Sequence, residues 1–294
     1  MSVLGYEYPL MERWNPLPFM KLPKQIEGIE RFGLIAGQGE LPIAHAKKVH
    51  GYGLKQVAIA LDSDSKPPLE LYCSKVFHIG IGQAGKIIKT LKEEKIQEVT
   101  LLGKVDKRLI FKRPRLDLRA LKILTKSRTH EDHSLMMSIV RELEKEGVRV
   151  LNQSLFLEEL FAPKGLITEK IPTPEEQTDI EYGLPIARKI AVLNIGQTLI
   201  VKNRVVVAVE GVEGTDETIR RAHDCGAKGF VVIKVPKKGQ DPRFDVPTVG
   251  PATIRCIGDN KGSVLAIESG KTLLVNRDET LTLAKKNKIS IVAV

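Results

Sequence analysis

The chain has 294 residues, a formal net charge of +10, 42% hydrophobic and 28% charged residues. That length exceeds what one ordinary core organises and predicts two domains, and the composition excludes a disordered tail or a membrane bundle. The longest apolar stretches, such as Val205 to Val209 and Ile289 to Val294, are too short to cross a bilayer, and Glu7, Glu12 and Arg13 stand where a secretory apolar core would sit; both point to a cytoplasmic protein.

The elements follow in chain order. Met1 to Glu30 mixes prolines with Tyr6, Tyr8, Trp14 and Phe19 without helical or strand period and reads as an arm packed on another surface. From Arg31 strands and helices alternate: Phe32 to Ala36, Leu41 to His50, Gln56 to Leu61, Val76 to Gly80, Ala84 to Glu94 and Glu98 to Leu102. This is the signature of a parallel sheet with crossover helices. A helix from Ser134 to Glu146 and a strand from Val148 to Leu151 complete a Rossmann-like α/β domain over residues 31–161. Residues 162–176, with Pro163, Gly165, Pro172 and Pro174, read as a Pro-containing linker, and Thr173 as the cap of a helix running towards Ala191. A second α/β domain, residues 177–294, opens with the hairpin Thr198 to Val201 and Val205 to Val209. It continues as helix Thr215 to His223, strand Phe230 to Val235, helix Ala252 to Gly258, strands Val264 to Glu268 and Thr272 to Val275, helix Asp278 to Lys286 and strand Ile289 to Val294.

Cys73, Cys225 and Cys256 form no CxxC pair and are expected as buried packing residues. The six histidines show no HxH or HExxH spacing; His130 and His133 bracket Glu131 and Asp132 without a third ligand of fixed spacing, so a zinc site is not expected. No GxSxG elbow is present. The basic charge favours an anionic partner, whether nucleic acid, acidic lipid headgroup or phosphorylated metabolite, although a heat-adapted solvated surface would carry it too. With 5% aromatic residues there are few stacking platforms, and no nucleic-acid module is evident, so nucleic acid is the least favoured partner.

Glycine turns mark candidate phosphate sites. Gly37 and Gly39 follow the opening strand and would free backbone N–H groups for a phosphate or ribose, but Pro42 stands where a dinucleotide fingerprint needs a third glycine. Gly80, Gly82, Gly85 and Lys86 form a second such turn without P-loop spacing; Gly103 and Lys104 follow the strand Glu98 to Leu102, at the carboxyl edge where open α/β sheets bind ligands. In the second domain Glu210, Glu213, Gly214, Thr215 and Asp216 follow a strand, and oxygen ligands so clustered suit Mg²⁺. The lesser alternative is that Thr215 and Asp216 only cap the helix that bears Arg220 and Arg221. Lys234, Arg243, Asp245 and Thr248 mix cations with carboxylates, the combination that phosphoanhydride hydrolysis requires.

Four runs together carry a resemblance: Gly33 to Pro42, Gly82 to Ile87, Ala208 to Glu210 with Glu213-Gly214-Thr215-Asp216, and Arg243-Phe244-Asp245-Val246-Pro247-Thr248-Val249-Gly250. From Arg31 to its end the chain resembles the UDP-2,3-diacylglucosamine pyrophosphatases that replace the calcineurin-like enzyme in many bacteria. The resemblance implies a Mg²⁺-dependent hydrolase of lipid A biosynthesis that releases UMP and diacylglucosamine 1-phosphate, lipid X, by attack of water on the α phosphorus. Substrate and lipid product would lie in the cleft between the domains. Asp245, Glu213 and Asp216 match the family's carboxylates as the expected catalytic set, with Asp245, Asp216 and Glu210 as metal ligands. Lys234, Arg243 and Arg220 would face phosphates, and Gly37, Gly39, Gly82, Lys86, Gly103, Lys104, Thr215 and Thr248 complete the expected substrate contacts. Asn194 stands where the family often has Asp, Glu131-Asp132 replaces a common Asp-Asp pair, and the turn Gly103 to Asp106 lacks the usual Arg-Pro ending. Peripheral contact with the cytoplasmic face of the inner membrane is a further expectation, and a homodimer is compatible with the pattern. The rival reading is a nucleotide- or phospholipid-binding regulatory module without turnover; three carboxylates beside a phosphate argue against it unless a metal offsets them.

Overall fold

The computed structural model of the protein describes residues 2–3, 6–7, 26, 28–105, 116–126, 132–237 and 239–294. Contacts divide the chain into two compact units. Glu159–Asp241 and Val246–Val294 form the carboxyl-terminal unit; the described part of Pro18–Glu158, joined by Pro242–Asp245, forms the amino-terminal one. Of the expected arm, an antiparallel ladder pairs Ser2–Val3 with Tyr6–Glu7, and Ile26 is fully buried. Most of the arm lies outside the described residues, as does Glu131.

In the amino-terminal unit five parallel strands, β1 (Arg31–Ala36), β2 (Lys55–Ala60), β3 (Lys75–His78), β4 (Glu98–Leu102) and β5 (Arg149–Val150), lie in the order β3-β2-β1-β4-β5. Five consecutive residues of β1 and of β2 are buried, the uninterrupted apolar run of a parallel sheet covered on both faces. On one face Phe32 packs with Val49 of α1 (Leu41–Gly51), Leu151 and Phe156; on the other Ile35, Ile59 and Leu101 meet Ile87 and Leu91 of a second long helix and Val140 and Leu143 of a third. Those helices are α3 (Ala84–Glu93) and α5 (Asp132–Lys145), and between the long elements lie two unforeseen ones, α2 (Lys66–Glu70) and α4 (Leu118–Lys126). Pro67 and Pro68 occupy the first turn of α2, where a missing N–H costs nothing.

One carboxylate starts two of these helices. Asp117 Oδ2 accepts the N–H of Gly85 at 2.7 Å and its Oδ1 that of Ala120 at 2.8 Å, while its own N–H donates to Gly82 O at 2.9 Å. It therefore satisfies orphan amides of both α3 and α4. At the centre of the unit His45 is fully buried, hydrogen-bonded to Gln56 Nε2 and Thr100 Oγ1 at 3.2 Å each and set edge-on to Phe156.

The carboxyl-terminal unit begins with β6 (Gly165–Leu166), which lies inside the expected linker yet pairs antiparallel with the last strand, because an edge position needs only two residues of ladder. Then α6 (Pro174–Val192) starts at the predicted cap: Thr173 Oγ1 accepts the N–H of Glu176 and Glu176 Oε2 that of Thr173. The hairpin β7 (Thr198–Lys202) and β8 (Val205–Val209) turns through Asn203 and Arg204, both at positive φ, and the buried Asp179 carboxylate accepts both of their N–H groups at 2.9 and 2.6 Å. There follow α7 (Thr215–Asp224), β9 (Val231–Lys234), β10 (Thr248–Val249), α8 (Pro251–Asp259), β11 (Val264–Ile267), β12 (Leu273–Leu274), α9 (Arg277–Lys286) and β13 (Ser290–Ala293). The six-stranded sheet runs β8-β7-β9-β11-β13-β6, parallel over β9, β11 and β13 and antiparallel outside them. Leu199, Val231 and Ile233 face Ile180 and Ala187 of α6, while Ile200, Val232 and Leu265 face Ile219 of α7 and Ile254 of α8. Of the three cysteines expected as packing residues Cys225 is exposed, because it caps the end of α7, and Cys73 and Cys256 are half-buried.

Burial lowers the pKa of His45 to about 3 from its ordinary 6.5. The folded state thus refuses a proton that the unfolded chain binds between those values, so stability is complete above pH 6.5 and is lost as pH falls towards 3, by up to about 1.4 kcal/mol per unit. Urea unfolding at pH 7 and pH 5 will show about 2 kcal/mol lost from this group, and His45→Gln will flatten the slope by that amount; an unchanged slope would refute it. Asp117→Ala will cost about 1–3 kcal/mol in the same assay by removing two caps at once, and Asp117→Asn will recover part of it.

Candidate functional site

The loops that leave β1 and β4 lie at the carboxyl edge of the parallel sheet, where the strand order reverses and ligands commonly bind. Here they grip one another. Gly37 N–H donates to Leu102 O at 2.8 Å, Gln38 N–H to Lys104 O at 2.7 Å and Lys104 N–H back to Gln38 O at 2.8 Å, an isolated antiparallel bridge. The approach requires glycine on both sides: a Cβ on Gly37 would run into Lys104 O, and one on Gly103 would lie 2.7 Å from the Gly37 carbonyl carbon. The expected open amide cradle is thereby corrected, since the N–H groups of Gly37 and Gln38 are spent on the neighbouring loop. Gly39, at φ +106 and exposed, has no neighbour within 4 Å of a Cβ built on it and keeps the turn accessible. A polar recess beside it is walled by Gln38, Asp62 and Ser65. The second expected phosphate turn is corrected likewise: the anion at the start of α3, beside Gly82 and Gly85, is the Asp117 carboxylate, and Lys86 is exposed.

Beneath the bridge an apolar cavity of about 280 Å³ opens between sheet and helices, lined by Ile35, Leu101, Ile87, Ile123, Met136 and Phe244 among others. Phe244 comes from Pro242–Asp245, the short run that packs with this unit. Its neighbours are anchored in turn. Gln153 N–H donates to Pro242 O at 2.9 Å, while Arg243 donates to Glu144 at 2.9 Å and lies 3.5 Å from Met137 Sδ. Arg243, expected to face phosphates, is thus engaged in holding this run. Asp245, half-buried, is the next residue. Sequence reasoning missed Phe244 and Asp117, whose roles rest on partners distant in the chain.

In the carboxyl-terminal unit a bulge between Val206 and Ala208 re-aims the end of β8 towards a glycine-rich turn. Glu210 N–H donates to Thr198 O at 2.9 Å, and Gly196 admits Glu210 O where any Cβ would collide with it. Gly214, at φ +85, leads into α7. Four expected residues converge here. Thr215 Oγ1 lies 3.1 Å from Thr198 Oγ1 and 3.4 Å from Glu210 Oε1, and Lys234 Nζ donates to Thr215 Oγ1 at 3.3 Å and to Thr248 O at 3.5 Å. An ammonium and a hydroxyl thus lie together at a helix start, with the Glu210 carboxylate beside them.

Glu213 is drawn elsewhere. Its carboxylate meets Arg221 at 2.6 Å and accepts the N–H of Gly211 at 3.1 Å, so its own backbone N–H and the Arg221 guanidinium hold its pKa below the usual carboxylate range. It locks the turn in place. Arg220 pairs with Glu217 at 2.5 Å and stays exposed. Asp216 lies in the first turn of α7, beside Arg220 and Cys256, whose thiol burial pushes up to about 11. Asn194 ends the turn after α6 at φ +58, a conformation that Asn tolerates well.

Among the described residues no three His, Cys, Asp or Glu side chains converge as metal ligands. Mg²⁺ can be held by one or two carboxylates when phosphate and water complete its octahedron.

Residues 31–160 match the family profile described as LpxI N-terminal domain, and residues 163–292 that described as LpxI C-terminal domain. The chain is 33% identical over 267 residues, 87% of its length and 94% of the relative's, to the UDP-2,3-diacylglucosamine pyrophosphatase LpxI of Caulobacter vibrioides. Partial similarity extends to the biotin carboxylase subunit of pyruvate carboxylase, at 13% identity over 62% of this chain and 35% of that one with a TM-score of 0.27. It extends also to an ADP complex of N5-carboxyaminoimidazole ribonucleotide synthetase, at 13% identity over 66% and 44% with a TM-score of 0.28. The chain spans less than half of either, and at those scores neither bears on fold or function. With both domains of one family matched in order, this chain belongs to the LpxI family.

Proposed function

We propose that this chain hydrolyses the pyrophosphate bond of UDP-2,3-diacylglucosamine to UMP and 2,3-diacylglucosamine 1-phosphate in lipid A biosynthesis. The observation that carries the reading is the match to both LpxI domains and to a pyrophosphatase along nearly its whole length. Two features support it. The substrate has acyl chains and a pyrophosphate; an apolar cavity in one unit suits the former, and the Lys234, Thr215 and Glu210 turn in the other suits the latter.

In the proposed reaction a water oxygen bonds to the α phosphorus as that phosphorus parts from the bridging oxygen. The bridging oxygen leaves with the β phosphate as the lipid 1-phosphate, and the proton shed by water passes to a carboxylate and then to solvent. Asp245 orients the water. Lys234, Thr215 and the amino end of α7 offset phosphate charge. Glu210 and Asp216 would hold Mg²⁺, which when bound neutralises phosphate oxygens and so favours departure of the leaving group. Glu213 keeps the turn in shape through Arg221. A cytoplasmic location, with peripheral contact at the inner membrane, belongs to the same proposal; no helix among the described residues is long and apolar enough to cross a membrane.

Turnover of UDP-2,3-diacylglucosamine in ¹⁸O-labelled water will place the label in UMP, EDTA will abolish it and Mg²⁺ restore it. Asp245→Asn will lower kcat by about 10²–10⁴-fold in a protein that unfolds at the wild-type urea midpoint. Label in the lipid phosphate would overturn attack at the α phosphorus, and activity indifferent to EDTA would overturn the metal. Absence of turnover with any divalent ion would leave a binding module.

A further inference from the structure

Protein interiors leave few voids larger than a water molecule, and a largely apolar cavity of about 280 Å³ is large enough to receive part of an acyl chain. Its lining is drawn from the amino-terminal part of the chain except at Phe244. That residue packs against the core formed by Ile35, Ile87, Leu101 and Val140. It is held from behind by consecutive anchors: Gln153 N–H on Pro242 O, with the Gln153 side chain donating to Leu101 O at 2.5 Å, and Glu144 on Arg243. The chain then passes directly to Asp245. Phe244, whose ring forms part of the cavity wall, is joined to Asp245 by a single peptide bond, so any backbone adjustment at Phe244 is passed directly to the residue that carries that carboxylate.

We infer that Phe244 is a specificity-determining and positioning residue: an acyl chain of the substrate packs against its ring, and filling of the cavity sets the position of Asp245. This rests on the proposed pyrophosphatase activity and goes beyond it, since it makes turnover conditional on the acyl portion of the substrate. With Pro242 and Arg243 anchored just before it, the Phe244 ring keeps only its side-chain rotations, and an acyl chain packed against it fixes one of them beside Asp245. Binding energy from a remote part of the substrate is thereby used at the reacting centre. The arrangement selects acylated UDP-glucosamine over nucleotide sugars that share the pyrophosphate and lack the chains.

The test uses the full chain as wild type, Phe244→Ala, Phe244→Leu and Phe244→Trp, with UDP-2,3-diacylglucosamines of graded acyl length and UDP-glucosamine itself. Phe244→Ala is expected to lose kcat, at saturating substrate, roughly tenfold or more beyond any loss on UDP-glucosamine, and to move the preferred acyl length upward. Phe244→Trp should move it downward, and Phe244→Leu should restore most of kcat. Equal loss on acylated and unacylated substrates would mark a merely structural role and overturn the inference, as would an unchanged length profile. Displacement of a fluorescent apolar probe by octanoate to hexadecanoate reads the cavity without catalysis. If wild type turns over no UDP-diacylglucosamine, the proposed function fails by itself; a displacement optimum identical in wild type and Phe244→Ala then overturns the Phe244 assignment separately.

Discussion

The amino-terminal unit depends on the backbone bridge between Gln38 and Lys104. Two parallel strands that diverge at a reversal of strand order would ordinarily leave an open crevice. Three N–H···O contacts of 2.7–2.8 Å draw the loops together instead, and they exist only because neither Gly37 nor Gly103 carries a Cβ. The crevice is thereby roofed. What remains below is lined mainly by apolar groups, so the edge that in other open sheets receives nucleotides offers an apolar recess here beside the polar one at Gln38, Asp62 and Ser65.

The carboxyl-terminal unit meets a different requirement with similar means. Gly196 lets Glu210 approach β7, and Gly214 turns the chain into α7. These glycines serve geometry, and the charged residues they position divide the work. Glu213 pairs with Arg221 and shapes the turn, whereas Glu210 lies beside a hydroxyl that an ammonium also meets. Carboxylates so close in sequence therefore have unlike surroundings.

Much of the fold was legible in the sequence for a simple reason. Strands buried on both faces, such as Val264–Ile267, read as unbroken apolar runs, and Thr173 with Glu176 forms a capping box readable at three-residue spacing. The helix Leu118–Lys126 was passed over although Ala120 and Ile123, three residues apart, are its buried positions, because so short a stripe is set among the basic residues Arg119, Lys122 and Lys126. The candidate site was legible as motifs. Its geometry was not: that Asp117 would occupy the start of α3, that Arg243 would pair with Glu144, or that Glu213 would turn to Arg221 depends on folding distances that no local pattern encodes.

The run Pro242–Asp245 makes the amino-terminal unit discontinuous in the chain. A ribosome that has finished residue 158 must still add more than eighty residues before Phe244 exists, a delay of several seconds at ordinary rates of synthesis. Throughout that interval the cavity lacks the Phe244 part of its wall and leaves apolar surface uncovered. The order of synthesis thus opposes the order of assembly, and the unit is complete only when its last four residues arrive.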